Sequence, residues 1–340
     1  MRRPIGRARW IVQALVFCLI IYGGYLFKVR ADRLALPPLE APDGAYNLTR
    51  LPQTAIAWAP GDEPAFQLYP PSATCRFNPG GGLFKACIVH MVSENLTWQT
   101  PVKYLTVYLL IFVVLAFLVA RLWCGWICPL GTIGDVLNSL RRSLHVDHAV
   151  FSPGFRAGLR FLSYAILVPS LAVSLLVGLA PLTRYQCYLF LPYCQICPAR
   201  LLCPLFGVRS STWADFTNGV TTFFTVASWS VLGLFVAAFF IGRRTWCHVC
   251  PIGLISSWFN RGSATELRKD ALRCNRCAAC ADACPMGLDH VGREKAKTVL
   301  NHPGCVFCLR CVDACPRDDC LSVAFLGKTV LRSRYREMRP

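Results

Sequence analysis

The sequence predicts an α-helical integral membrane protein with four transmembrane helices and a small C-terminal α+β domain. Two observations predict the membrane part: 54% of the 340 residues are hydrophobic and only 16% are charged, and the mean hydropathy is positive. These values lie outside the usual range of soluble globular proteins. A third observation predicts the C-terminal domain, because eight of the 20 cysteines form two closely spaced runs after residue 270.

Four stretches are long and apolar enough to cross a bilayer, which takes roughly 20 helical residues. They are Trp10–Phe27, Val102–Trp123, Leu159–Leu182 and Val220–Ile241. The first stretch is short and follows several arginines, so a cleaved secretory signal is the alternative interpretation. Lys28-Val29-Arg30 stands where a small-residue cleavage site should lie, which favours a retained anchor.

Three groups of arginines beside the predicted spans fall on one side if the chain crosses the membrane four times. They are the arginine-rich start, Arg141-Arg142 and Arg243-Arg244. Since positive charge marks the cytoplasmic side, we expect a multi-pass protein of the bacterial inner membrane with both termini in the cytoplasm. The net charge of +18 is then explained by topology and by anionic lipid head groups, and a nucleic-acid partner is not expected.

The predicted organisation has five parts. Residues 1–27 form the cytoplasmic N-terminus and first span, and residues 28–101 form a loop-rich periplasmic segment with many prolines and glycines. Residues 102–262 hold the other three spans, residues 263–325 hold the cysteine runs, and residues 326–340 form a basic tail. The linker between the two runs, Met286 to Gly304, is predicted to be a solvated helix, with a docking face for a partner as the alternative.

The two cysteine runs have identical spacing and each ends in Cys-Pro. This C-x2-C-x2-C-x3-C-P pattern is typical of bacterial ferredoxins with two [4Fe–4S] clusters, in which the fourth cysteine of each run ligates the other cluster. A pair of zinc sites is disfavoured, because zinc needs only two separated C-x2-C pairs. The predicted ligands are Cys274, Cys277, Cys280 and Cys315 for one cluster and Cys305, Cys308, Cys311 and Cys284 for the other.

Two further motifs stand at the cytoplasmic ends of the second and fourth spans. Trp123-Cys124 is followed by Cys128-Pro129, and Trp246-Cys247 is followed by Cys250-Pro251. If the span ends pack together, the four thiols converge at the inner membrane surface and could hold a further iron–sulfur cluster or pass electrons near a quinone. The alternative is that Cys-Pro ends each helix and the thiols pack as small apolar groups.

A third group of cysteines is predicted to lie outside. It comprises Cys187, Cys194, Cys197 and Cys203, with Cys75 and Cys87 on the other external segment. An oxidising compartment favours disulfides, whereas the Cys-x2-Cys-Pro spacing favours metal or cluster ligation, and both interpretations stay open. The sequence contains no Cys-x-x-Cys-His motif for haem attachment and no G-x-G-x-x-G motif for a dinucleotide.

These features together resemble the NapH-type ferredoxin-like membrane proteins, a quinol dehydrogenase family with relatives MauN and the C-terminal half of NosR. The resemblance covers roughly residues 100–320 and depends on the four spans, the two Cys-Pro motifs at the span ends and the doubled run. It implies quinol oxidation, or electron passage to or from periplasmic enzymes through partner subunits. The family usually has Cys-x3-Cys-Pro twice, whereas the second motif here is Cys-x2-Cys-Pro.

The expected function is electron transfer between the quinone pool and a redox partner, as a quinol dehydrogenase subunit that feeds a periplasmic reductase. The partner would be a periplasmic or membrane protein, either a cytochrome or a ferredoxin-type subunit. Two alternatives of other classes remain. One is a maturation protein that supplies reducing equivalents for the assembly of a periplasmic metalloenzyme, and the other is a metal or redox sensor.

Overall fold

A computed structural model describes residues 4–26, 88–96, 102–147, 149, 151–178, 192–206, 214, 216, 219–295 and 298–334. The chain divides into two compact units. The first contains Met1–Val16, Val113–Arg160 and Phe239–Pro340, and the second contains Phe17–Phe112 and Phe161–Ala238. All cysteines of the two runs and of the span-end motifs belong to the first unit.

The described helices and strands follow in chain order. The helices are α1 (Pro4–Leu26), α2 (Ile88–Leu96), α3 (Val102–Val119), α4 (Leu122–Trp126), α5 (Pro129–Ser143), α6 (Pro153–Gly178), α7 (Pro192–Ile196), α8 (Ala199–Phe206), α9 (Gly219–Ile241), α10 (Trp246–Val249), α11 (Pro251–Ser257), α12 (Ala279–Asp282), α13 (His290–Arg293) and α14 (Arg310–Ala314). The strands are β1 (Thr265–Lys269), β2 (Leu321–Phe325) and β3 (Lys328–Arg332).

Among the described residues, three helical stretches are long and apolar enough to cross a membrane: Pro4–Tyr22, Gly154–Leu176 and Gly219–Ile241. They correspond to the first, third and fourth predicted spans. Two of these helices begin earlier than predicted, because proline is well suited to the first helical position and starts both α1 and α6. The second predicted span contains a shorter apolar stretch, Leu109–Val119 in α3, and its crossing stays a prediction.

The second predicted span does not continue as one helix to Trp123. Helix α3 ends at Val119, and Ala120 has a left-handed backbone with φ of 46°. The carbonyls at the end of α3 are then bonded by the start of the C-terminal domain. Ala264 N donates to Phe117 O at 2.9 Å and Thr265 Oγ1 donates to Leu118 O at 2.8 Å. These bonds satisfy carbonyls that have no partner within the helix itself.

The C-terminal domain combines short helices with a three-stranded antiparallel sheet in the order β1-β2-β3. Strand β1 pairs with β2 from Thr265↔Phe325 to Lys269↔Leu321. A two-residue turn joins β2 to β3, and its residues Leu326 and Gly327 both have positive φ, 49° and 81°, as type I′ hairpins require. Apolar residues of the sheet and the cysteine loops form the core: Leu267, Val291, Leu300, Phe307, Leu309, Val312, Leu321 and Val323.

Two parts of this domain differ from the sequence-based expectation. Strand β3 lies in residues assigned to a basic tail, because the hairpin turn and the residues Thr329, Val330 and Leu331 favour a strand despite the surrounding charges. In its described residues, 286–295 and 298–304, the linker predicted as a solvated helix is α-helical only at His290–Arg293. Val299 instead forms a β-bridge with Arg268, so the linker lies along the edge of β1.

The start of α1 packs on the C-terminal domain within the first unit. Gly6 N donates to Asp313 Oδ2 at 3.1 Å, and Ile5 contacts the domain core. The first residues of α1 therefore contact the domain that contains the cysteine runs.

The second unit contains the remaining parts of the membrane helices and the short helices α2, α7 and α8. Its polar centre is Arg200, whose Nη1 donates to Gln195 O at 2.8 Å and to Ser228 Oγ at 3.0 Å. These bonds connect α7 and α8 to α9. Most of the predicted periplasmic segment, including Cys75 and Cys87, lies outside the described residues.

Candidate iron–sulfur sites

Each cysteine run folds into a tight loop followed by a short helix. The residues on both sides of the second cysteine of each run have left-handed backbones. In the first run φ is 59° at Arg276 and Ala278, and in the second run it is 44° at Phe307 and 59° at Leu309. Residues other than glycine rarely adopt positive φ. Its recurrence at the same two positions indicates that both loops follow the same path before α12 and α14 begin.

Two cavities lie beneath these loops. The first is lined by three cysteines of the first run and the last cysteine of the second: Cys274, Cys277, Cys280 and Cys315. The second is lined by the complementary set: Cys305, Cys308, Cys311 and Cys284. We call them the first and second cluster sites. The structure brings the cysteines together in the two crossed sets of four, and that these sets bind iron is a proposal.

The chemistry of the second site fits a metal–sulfur cluster. Burial raises the pKa of Cys305 to about 12 and that of Cys284 to about 11. Backbone amides nevertheless point at both sulfurs, since Leu288 N lies 3.4 Å from Cys284 Sγ and Phe307 N lies 3.4 Å from Cys305 Sγ. Metal binding removes the thiol protons, and the amides then donate to thiolates. Four soft thiolates are the donor set that [4Fe–4S] clusters use.

Arg121 adds a further observation that fits an anionic occupant. Its side chain is buried, and it donates from Nη1 to Pro303 O and from Nη2 to Cys247 O, both at 3.0 Å. Within the described part of the chain it has no carboxylate partner, while its charge acts on the thiols of Cys247 and Cys305. A buried guanidinium without a counter-charge is costly, and cluster thiolates would supply that charge.

The two motifs at the span ends share one local structure. A left-handed residue follows each span, with φ of 46° at Ala120 and 47° at Arg244. A short helix, α4 or α10, then carries the first cysteine of the motif. The second cysteine, Cys128 or Cys250, has ψ of 121° in both motifs and precedes a proline that begins α5 or α11. Each Cys-Pro pair therefore starts a new helix and does not end the span.

The four cysteines of these motifs lie close enough together for their charges to interact. Burial is the main cause that raises the pKa of Cys128, and the neighbouring thiols of Cys124, Cys247 and Cys250 raise it further. Burial likewise raises the pKa of Cys247 to about 12. We call these four residues the membrane-edge thiol group. Among the described residues no set of three or more side chains is already arranged to hold a metal ion, so a metal or cluster in this group remains a proposal.

The membrane-edge thiol group and the second cluster site share a buried core. Cys124 packs with Val306, Cys308, Met286 and Leu288, and Cys247, Cys284 and Cys305 lie at its border. Gly125 allows this close approach, because a Cβ atom there would collide with the carbonyl oxygen of Val306. Trp126 Nε1 also donates to Phe307 O at 2.9 Å. The first cluster site differs, since its Cys277 is exposed.

The predicted external cysteine group is only partly described. Cys194 and Cys197 are buried at the end of α7, and Cys197 Sγ lies 3.8 Å from Tyr193 Oη. Cys187 and the side chain of Cys203 lie outside the described residues. Disulfides and metal ligation at these positions therefore both stay predictions.

Sequence reasoning missed a buried carboxylate of the first unit. Asp135 in α5 forms ion pairs with Arg9, Arg244 and Arg310. Burial alone would raise its pKa, but Arg244, Arg9 and Arg310 together hold the pKa well below its usual range. The available signal was the single acidic residue of α5, but nothing in the sequence indicates that three distant arginines reach it.

A fifth cysteine at the first cluster site was also missed. Cys320 is buried, lines the same cavity as the four predicted ligands and lies with its Sγ 3.7 Å from Asp270 O. Its position after the second run, outside the repeated spacing, explains why the pattern did not include it.

Comparison with known protein families supports this description of the sites. A family described as "4Fe-4S binding domain" matches residues 105–146 and 222–273, which include both span-end motifs. A family described as "4Fe-4S dicluster domain" matches residues 266–316, which include both cysteine runs. No solved structure matches the chain.

Three relatives illustrate the similarity to individual proteins. YccM of Escherichia coli K12, provisionally named an electron transport protein, is 26% identical over 244 residues, which are 70% of this chain and 63% of YccM. An uncharacterized protein of Methanocaldococcus jannaschii is 26% identical over 240 residues, which are 70% of this chain and 86% of that protein. The ferredoxin-type protein NapH of Escherichia coli K12 is 28% identical over 213 residues, 61% of this chain and 63% of NapH. The chain thus spans less than two thirds of the length of YccM and NapH.

Proposed function

We propose that the chain is a quinol dehydrogenase subunit, because it matches two 4Fe-4S families and resembles the ferredoxin-type proteins NapH and MauN. In this proposal it takes electrons from the quinone pool at the membrane edge and passes them to a redox partner. That partner is a cytochrome or ferredoxin-type subunit that serves a periplasmic reductase.

One observation carries the proposal: the buried core that joins the membrane-edge thiol group to the second cluster site. Cys124 of the membrane edge and Cys308 of the second site belong to the same packed cluster of side chains. Electron transfer needs redox centres at short range, and this packing supports a direct path from the end of the spans into the C-terminal domain. The exposed Cys277 supports the first cluster site as the place where electrons leave or enter.

The residues have distinct roles in this proposal. Two [4Fe–4S] clusters, when bound at the two cluster sites, supply one-electron carriers. Oxidation of a quinol to a quinone releases two electrons and two protons, so two one-electron acceptors are needed near the membrane. A cluster held at the second cluster site would be one acceptor, and a further iron–sulfur centre, if held by Cys124, Cys128, Cys247 and Cys250, would be the other.

The same proposal assigns the C-terminal domain and the N-terminus to the cytoplasmic side of the bacterial inner membrane. The basic flanks of the spans and the contact between Gly6 and Asp313 support this topology. Reporter fusions after Pro340 and within residues 40–95 are expected to report opposite compartments. The same compartment for both fusions would contradict four crossings and would point first to an error at the N-terminal span.

The experiment that tests the function is reduction of the purified, cluster-loaded protein by menaquinol. We expect bleaching of the iron–sulfur absorbance after mixing with menaquinol and no bleaching after mixing with menaquinone. A protein that holds its clusters and accepts electrons from dithionite, but not from menaquinol, would contradict the quinol dehydrogenase proposal. That result would favour the maturation role.

A further inference from the structure

Asp135 is the centre of a buried charge network in the first unit. Its carboxylate lies 2.6 Å from Arg244 Nη2, 3.0 Å from Arg310 Nη2 and 3.4 Å from Arg9 Nη2. Asp135, Arg9 and Arg244 are almost completely buried, and Arg310 is 18% exposed. Gln13 adds a neutral hydrogen bond to the carboxylate at 3.0 Å. We call Asp135 and the three arginines the Asp135 network.

The Asp135 network has an excess of positive charge. Three guanidinium groups and one ionised carboxylate leave two positive charges that no other carboxylate of the network balances. The remaining bonds of Arg244 go to neutral carbonyls, Cys124 O at 2.8 Å and Gly125 O at 3.4 Å. In Arg9, the Nε and Nη1 atoms are buried and have no hydrogen-bond partner in the described part of the chain.

A further buried carboxylate of the first unit makes its own contact with the start of α1. Asp313 is on the same helix as Arg310, and its Oδ2 accepts a hydrogen bond from Gly6 N at 3.1 Å, whereas Arg310 turns to Asp135. Burying an unbalanced charge costs several kcal/mol per ion. The fold is therefore expected to provide a negative group close to these arginines.

The thiols of the second cluster site and the membrane edge occupy that position. Arg244 donates to the carbonyl oxygens of Cys124 and Gly125, and Gly125 lies against the backbone of Cys308. The thiols of Cys308 and Cys247 accordingly lie within electrostatic range of Arg244. Arg310 is directly followed by Cys311, another cysteine of the second site. A neutral set of thiols would leave the arginines unbalanced, but thiolates around a bound cluster would balance them.

We propose that the Asp135 network is the fixed counter-charge of the second cluster and sets its reduction potential. This inference rests on the proposed binding of a [4Fe–4S] cluster by Cys305, Cys308, Cys311 and Cys284. Reduction adds one negative charge to a cluster, so nearby positive charge favours the reduced form and raises the potential. Asp135 limits this effect by cancelling one of the three positive charges. None of the four residues is a proposed ligand of the cluster. They act on the cluster from outside the shell of its cysteine ligands.

The test uses charge changes of opposite sign in the full-length, cluster-loaded protein. Asp135→Asn removes the negative charge and is expected to raise the potential of the second cluster, whereas Arg310→Gln removes a positive charge and is expected to lower it. Arg310→Lys keeps the charge and is expected to leave the potential close to that of the unmodified protein. Each charge change should alter the equilibrium constant for reduction on the order of tenfold.

The measurement is a redox titration with dithionite, followed by electron paramagnetic resonance of each cluster. The second cluster is identified by the signal that Cys308→Ala removes. The first cluster is expected to shift less, and Arg332→Gln, a charge change on the exposed strand β3, should shift neither. If Asp135→Asn does not assemble, the Arg310→Gln and Arg310→Lys pair still decides, because Arg310 is at the edge of the network.

Opposite shifts support the inference, and unchanged potentials or shifts of the same sign in both charge variants would overturn it. These outcomes are separate from the quinol assay, because dithionite replaces quinol as the reductant. Normal potentials in all variants together with quinol-dependent reduction would overturn the counter-charge and leave the proposed function intact. Loss of the quinol reaction together with opposite shifts in potential would overturn the proposed function and support the counter-charge.

Discussion

Replacing Cys284 with alanine is expected to remove the second cluster and to leave the first cluster intact, although Cys284 belongs to the first cysteine run. The reason is the crossed arrangement of the two cavities: Cys284 lines the same cavity as Cys305, Cys308 and Cys311. The mirror variant, Cys315→Ala, should remove the first cluster, because Cys315 lines the cavity of the first run. Each variant should lose about four iron atoms per chain from the eight that two clusters contain.

The prediction is tested by comparing variants whose cysteines line the same cavity with variants whose cysteines belong to the same run. In electron paramagnetic resonance, Cys284→Ala and Cys308→Ala should lose the same signal, and Cys315→Ala and Cys280→Ala should lose the other. Cys18→Ala is the matched control, since Cys18 is an exposed cysteine of α1 outside both runs and its removal should leave the iron content unchanged. Grouping by run, with Cys284 and Cys280 losing one signal, would contradict the crossed sets. Stoichiometric zinc without iron would contradict the clusters themselves.

Replacing Cys128 or Cys250 with serine is expected to abolish reduction of the clusters by quinol while both clusters of the C-terminal domain remain assembled. Both cysteines have the same extended backbone before a proline, and both belong to the membrane-edge thiol group. Serine keeps the size of the side chain but removes the soft thiolate that iron prefers. The electron path from the membrane would then lack its first centre.

The measurement is the rate of cluster bleaching by menaquinol, with dithionite reduction as the check that both clusters are present. Cys18→Ser is the matched control, because Cys18 is an exposed cysteine of α1 outside both motifs. It should bleach at the normal rate. If Cys128→Ser and Cys250→Ser also bleach at the normal rate, the two motifs are structural and electrons enter the second cluster by another route.

The sequence predicted the parts of the site that depend on local spacing. Three cysteines within seven residues must share one loop, and the repeated Cys-Pro ending predicted that the fourth thiol turns to the other loop. The structure brings together the same two sets of four. For the span-end motifs, the sequence predicted convergence of the four thiols only on the condition that the two span ends pack together.

Local sequence patterns gave the wrong secondary structure in two segments whose conformation depends on pairing with distant strands. The linker between the runs was interpreted as a solvated helix from its charged residues, but Val299 pairs with Arg268 beside the sheet. Residues after 325 were interpreted as a tail, but the turn at Leu326 and Gly327 returns the chain as β3. In both segments, pairing with β1 or β2 outweighed the surface charges.

What the sequence by itself determined is the chemistry of the thiol sets, because covalent spacing limits which thiols can share a loop. What only the tertiary structure decided is which set lies against the membrane edge and which charges face it. Arg9 and Arg244 had been explained as topology signals, and Asp135 carried no pattern at all. These residues are more than 100 positions apart in the chain. Their pairing depends on burial and on long-range packing, which set electrostatic energies and which residue spacing does not encode.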